Sequence, residues 1–158
     1  AFVTSPEGAI ASADAIEWLP SPAKLGELDK QWMAHVAWGS MNIIAWGARA
    51  YERVGLDDKA EETARLAVEI CKKKTVIADC HCLLGRLAAR RGNEEEAKAA
   101  FRAAAETARV GKWHMLGIVA GHELKRHVPA ASEEADAIID AACGQVGKDR
   151  TTFARLLT

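Results

Sequence analysis

Small and apolar residues recur at intervals of three and four along most of the chain, from about Lys24 to Val146. That spacing marks helices that bury one face. Its breaks predict the elements. A first helical stretch runs from Lys24 to Val54, broken near Gly39-Ser40, and Gly55 ends it. A second runs to Lys73 with Asp57 as its N-cap, and Lys72–Lys74 suit the negative end of its dipole. A third covers Ile77–Arg91 and stops at Gly92. Asn93 caps a fourth, with Glu94, Glu95 and Glu96 in the first turn, where carboxylates are favoured. Gly111 separates it from a fifth over Lys112–His127. Pro129 makes the next turn, Ser132 caps a sixth helix ended by Gly144 and Gly147, and a short last helix covers Asp149–Leu157. No proline lies between Ala23 and Val128, which favours unbroken helices. Residues 1–22 read as a loose arm with a short helix over Ser12–Trp18; residues 23–158 read as one domain.

The helices repeat. Leu84-Gly85, Ala88, Gly92, Ala97, Phe101 and Ala104 form one frame. Gly47-Ala48, Tyr51, Gly55, Ala60, Ala64 and Ala67 form a second in the same register. A third begins with Trp113, Leu116-Gly117 and Ala120 and resumes with Ala135, Ile139 and Ala142. Gly117 to Ala135 spans 18 residues where Gly85 to Ala97 spans 12, so the third copy carries an insertion around Arg126–Ala131. This frame resembles the tetratricopeptide repeat, with a turn glycine between two helices and small residues where they cross. The resemblance covers about residues 41–74, 78–111 and 112–146. The family's proline after the second helix is missing, with Lys72 and Arg109 in its place. The fold the resemblance implies is all-α, antiparallel helix pairs stacked as a short right-handed solenoid, closed by an N-terminal helix and a last helix.

The family binds partners in a concave groove lined by the first helix of each pair. On this frame the groove would hold Asn42, Arg49 and Arg53 from the first copy, and Cys82, Arg86 and Arg90 from the second. The third would give His114, Ile118, Gly121 and His122. Arg49 and Arg53 are four apart, as are Arg86 and Arg90, so each pair shares a helix face. Guanidinium forks suit carboxylates, and an acidic segment of a partner protein is the ligand such a stripe implies. The same arginines would equally serve as solvated surface paired with Glu52, Asp57, Asp79 or Glu94. The family's clamp for a chaperone's acidic tail is not matched, since Ala45, Arg49 and Leu83 stand where its lysine and asparagines belong. A rival interface is the segment 24–54 with Trp32, Trp38 and Trp46, aromatic anchors that would dock the chain on a larger assembly or a membrane complex.

Composition narrows the function. Hydrophobic residues at 49% and charged residues at 27% are globular values. A net charge of −1 is not that of a nucleic-acid binder. Four cysteines without a signal-peptide pattern imply reduced thiols inside a cell, in the cytoplasm or in an organelle after import. Ala1 fits a processed mature chain or a piece of a longer one. Gln31–Ala48 lacks charged side chains for 18 residues, but His35, Asn42 and two glycines interrupt it, and a buried helix is the expectation.

No chemistry survives its geometry. Cys80 and Cys82, two apart on a helix, point nearly opposite ways and cannot chelate one ion. His122 and His127 are five apart, roughly 140° around the axis, and fail as a metal pair. Gly144–Lys148 lacks the Ser or Thr and the preceding strand of a phosphate loop. His35 and Asn42 share a face that can ligate a tetrapyrrole, with ordinary hydrogen bonding the plainer reading. The expectation is an interaction module or accessory subunit without catalytic residues, metal or cofactor.

Overall fold

A computed structural model describes residues 21–35 and 43–147. Among them every regular element is a helix. In chain order these are α1 (Pro22–His35), α2 (Ile43–Arg53), α3 (Asp57–Ile70), α4 (Lys74–Arg90), α5 (Glu94–Val110), α6 (His114–His127) and α7 (Ser132–Val146), with a 3-10 turn, Pro129–Ala131, before α7. The loose arm, the break at Gly39-Ser40 and the last helix of the sequence reading lie outside the described residues. None of the described helices is long and apolar enough to cross a membrane. The chain divides into two compact units between Ile70 and Cys71.

In the first unit α1 packs on the α2/α3 hairpin. Ser21 caps α1, its Oγ accepting the Lys24 N–H at 3.3 Å, and Pro22 takes the first helical position, which needs no N–H. Leu25 is buried over Gly47, where an added methyl would lie 2.3 Å from Leu25 Cδ1. In α3, buried Thr63 turns its hydroxyl onto the Lys59 carbonyl at 2.6 Å, so a polar group in the core keeps a partner.

In the second unit α4 and α5 form one antiparallel pair, α6 and α7 another, and α6 packs on both α4 and α5. Phe101 of α5, Leu124 of α6, Val128 just after it, and Ala135 of α7 share one cluster with Ala88 of α4. Cys82, Ala104 and Ala120 form a second, and Ile118, Ile139, Ala142 and Cys143 a third. The insertion in the third frame therefore contributes to the core: it lengthens α6 to reach Val128 and returns the chain through the 3-10 turn at Pro129.

Most framed helix positions are buried, while Leu84 and Leu116 are half-buried and Trp113, expected at the start of the third frame, is exposed. Ala48, Tyr51, Ala60, Ala64 and Ala67 are all buried, and so are Gly85, Ala88, Ala97, Phe101 and Ala104, and Gly117, Ala120, Ala135, Ile139 and Ala142. Volume is exchanged between partner helices. The first pair has its buried ring on α2, Tyr51, and buried alanines on α3, Ala60, Ala64 and Ala67. The second has Gly85 on α4 against Phe101 on α5, whose ring lies 2.6 Å from where a Cβ at Gly85 would be.

Several helix ends differ from the sequence reading. Asp57 and Ser132 are first helical residues rather than caps. Leu56 offers the first carbonyl of α3 to Ala60, and Ser132 Oγ donates back to the Pro129 carbonyl at 2.7 Å. Asn93 caps α5 as expected, accepting the Glu96 N–H at 3.3 Å while its amide donates to the Glu96 carboxylate at 2.9 Å. Gly55 and Gly92 hold φ of 77° and 76°, the left-handed cap position glycine favours. After α5 the same paired closing bonds form, from Lys112 N–H to Arg109 and from Trp113 N–H to Ala108, but the left-handed residue is Lys112, φ 58°. Gly111 serves packing instead: a Cβ there would lie 2.8 Å from Lys74 Cβ. Lys72–Lys74 do not close α3, which ends at Ile70; they lead into α4, and Lys73 is its N-cap without a side-chain cap.

Candidate functional site

Glu123 of α6 sits between the two first helices of the second unit. Its Oε2 lies 3.6 Å from Arg86 Nη1 on α4 and 3.4 Å from His127 Nε2 on its own helix. Both Arg86 and Glu123 are largely buried, and that carboxylate oxygen receives no hydrogen bond from any described residue. The His127 ring stacks on Phe101, 6.2 Å between centroids and 15° from parallel. Burial depresses the His127 pKa. Glu123 pulls it up, while Arg126, Arg86 and Arg90 push it down. Three guanidiniums and one carboxylate thus act on this imidazole, all from the C-terminal halves of α4 and α6.

The expected groove residues fall in different places. Arg49 and Arg53 are exposed on α2 in the first unit; Arg86 and Arg90 belong to the second. Asn42 and Trp38 lie outside the described residues, as does the Trp32 side chain. Trp46 is 62% exposed. Cys82 and Ile118 are buried in core clusters, and Gly121 presses on α7, where a Cβ would lie 2.6 Å from Ile139 Cγ1. They hold helices together instead of facing a ligand. His122 is half-buried, and its side chain or backbone is engaged.

His114 belongs to another feature. It lines a cavity of about 230 Å³ between α5, α6 and α7, together with Ala105, Gly117, Ile138 and Ala142. Two ion pairs rim it. Arg102 forks onto Glu134 of α7, and Arg109 forks onto Glu106 at 2.6 and 2.7 Å. Each pair holds its carboxylate below the ordinary carboxylate range. Small residues at facing positions leave this space, a signal readable in Ala105, Gly117 and Ala142. The Glu123–His127 pair was readable too, as an acid four residues before a base on one helix. Its contact with Arg86 was not, because it depends on how α4 packs against α6.

All four cysteines are buried and none forms a disulfide, and burial depresses the pKa of His81 between Cys80 and Cys82. Among the described residues no three His, Cys, Asp or Glu side chains gather as metal ligands. Compared with family models, curated proteins and solved structures, the chain finds no match in any of the three.

Proposed function

We propose that the chain is a tetratricopeptide-like interaction module, an accessory subunit that holds an acidic segment of a partner protein against the α4/α6 face. The observation that carries this reading is the placement of three guanidiniums, Arg86 and Arg90 on α4 and Arg126 on α6, close enough for all three to act on His127. Guanidiniums on a firm helical surface bind carboxylates in two-pronged fashion. Helix pairs held together by buried small residues offer such a surface. On this reading the helix pairs of the second unit stack as in the repeat family.

The test is capture of partners from native extract by the wild type and by Arg90→Glu/Arg126→Glu. Both changes are on exposed residues and spare the Arg86–Glu123 contact. Loss of an acidic partner by the variant alone supports the face as the site. Exposure of Trp46 on α2 favours a second reading, docking through segment 24–54. That reading gains if Trp46→Ala loses the partner and the arginine variant keeps it.

A further inference from the structure

The opposite end of the same helices carries a different surface. Val110, Trp113 and Met115 are 55%, 53% and 42% exposed, three large apolar side chains within six residues of the turn joining α5 to α6. The packing of Gly111 on Lys74 brings the start of α4 against this turn. Lys112 in the turn, Lys74 against it, and Lys72 and Lys73 in the residues leading into Lys74 are all exposed. Among the described residues no carboxylate pairs with any of the four, and the nearby Glu106 is already forked by Arg109.

These residues break local rules. Lysines at a helix start oppose the dipole, and α4 starts at Lys74 behind Lys72 and its N-cap Lys73, with no acidic residue in its first turn and no side-chain cap. Lys112 occupies a backbone conformation that suits glycine, and Trp113 stands at the N-cap of α6 without capping it. The other helix starts of this unit, α5 and α7, carry glutamates in their first turns. Choices that cost local stability with no gain in the fold are the mark of a functional surface.

We infer that this end of the second unit is a docking surface for an anionic lipid bilayer. The charge decides the sign of the partner, since Lys112 and the Lys72–Lys74 run that ends against the turn are exposed and, among the described residues, no acid pairs with them. The shape of the patch decides its class. Its apolar side chains stand out on a turn, and the neighbouring cavity is lined by His114 but by none of the three. A protein groove recognised by induced pairing would use forked arginines; here the cations are lysines, strongly hydrated point charges suited to a diffuse negative surface. An exposed tryptophan beside them matches the headgroup layer, where the indole buries its ring and keeps its N–H hydrated. This surface is independent of the α4/α6 arginine face.

The experiment is flotation of the full chain with phosphatidylcholine vesicles, with and without phosphatidylserine. The variants are Lys72→Glu/Lys73→Glu/Lys74→Glu and Trp113→Ala. The triple variant places acids where the α4 dipole favours them, so its fold is kept, which far-UV circular dichroism checks. The wild type is expected to float with serine-containing vesicles at low salt and not with neutral ones. The triple variant is expected to lose about a hundredfold in affinity and Trp113→Ala several-fold. No flotation of the wild type, equal flotation with neutral vesicles, or flotation untouched by both variants overturns the inference. So does retention on polyglutamate resin through the same lysines while vesicles are ignored, which would assign the patch to an acidic protein.

Discussion

Gly85 and Phe101 show how much of this fold rests on single side-chain volumes. The ring fills the space a Cβ at Gly85 would need, with contacts of 2.6 to 2.8 Å to three ring atoms. Phe101 is wholly buried and stacked on His127, so it has nowhere to retreat. Gly85→Ala, although alanine is the better helix former, is therefore expected to destabilise the protein by about 1–3 kcal/mol, read as a fall in the urea midpoint. An unchanged or raised midpoint would mean that the ring yields. At this scale the repeat frame was legible, because a crossing that admits only a hydrogen leaves a glycine in the sequence. Gly111 was legible only as a turn. Its role is close packing on Lys74, and the left-handed position passes to Lys112, a residue type that gives no hint of it.

Helix ends follow two regimes in the second unit. Asn93 and the glutamates after it satisfy the start of α5 by the rules of capping, and those rules made α5 readable from sequence. α4 and α6 start without a side-chain cap, and their boundaries were misplaced by two or three residues for that reason. Pairing between these two helices was illegible, since the Arg86–Glu123–His127 cluster depends on which faces meet. It has a consequence for pH. Burial lowers the folded pKa of His127, and of His81 on α4, below the unfolded value of about 6.5. Below that value the unfolded chain binds more protons than the folded one, so stability is full above about pH 6.5 and is lost as pH falls toward the folded pKa values. Urea midpoints are expected to drop between neutral and mildly acid pH. His81→Gln/His127→Gln should flatten that drop, whatever its own midpoint. The opposite slope, greater stability in acid, would mean that Glu123 outweighs burial at His127.

The molecule as a whole is two compact units, divided between Ile70 and Cys71. Three core clusters described in the second unit draw on residues from Cys82 to Cys143. The repeat frame, by contrast, runs through both units in one register, which is why the sequence read as a single domain from residue 23. Burial within each helix pair repeats whether or not the pairs share a core, so the boundary leaves no trace in the pattern. Within the second unit the arginine face lies toward the C-terminal ends of α4 and α6 and the lysine–tryptophan surface at their N-terminal ends. Helices of 17 and 14 residues put the two roughly 20 Å apart. A unit that is to hold a partner at one end while docked by the other must keep its own shape. The fragment 71–158 is therefore expected to be helical by circular dichroism and to melt cooperatively when expressed alone. Phe101→Ala in that fragment removes the ring shared by α4, α5 and α6 and should cost about 3–5 kcal/mol, enough to abolish the cooperative transition of a domain this small. A wild-type fragment that is helical but melts without a transition would show that the second unit needs the first to complete its packing, and the two proposed surfaces would then have to be tested only in the full chain.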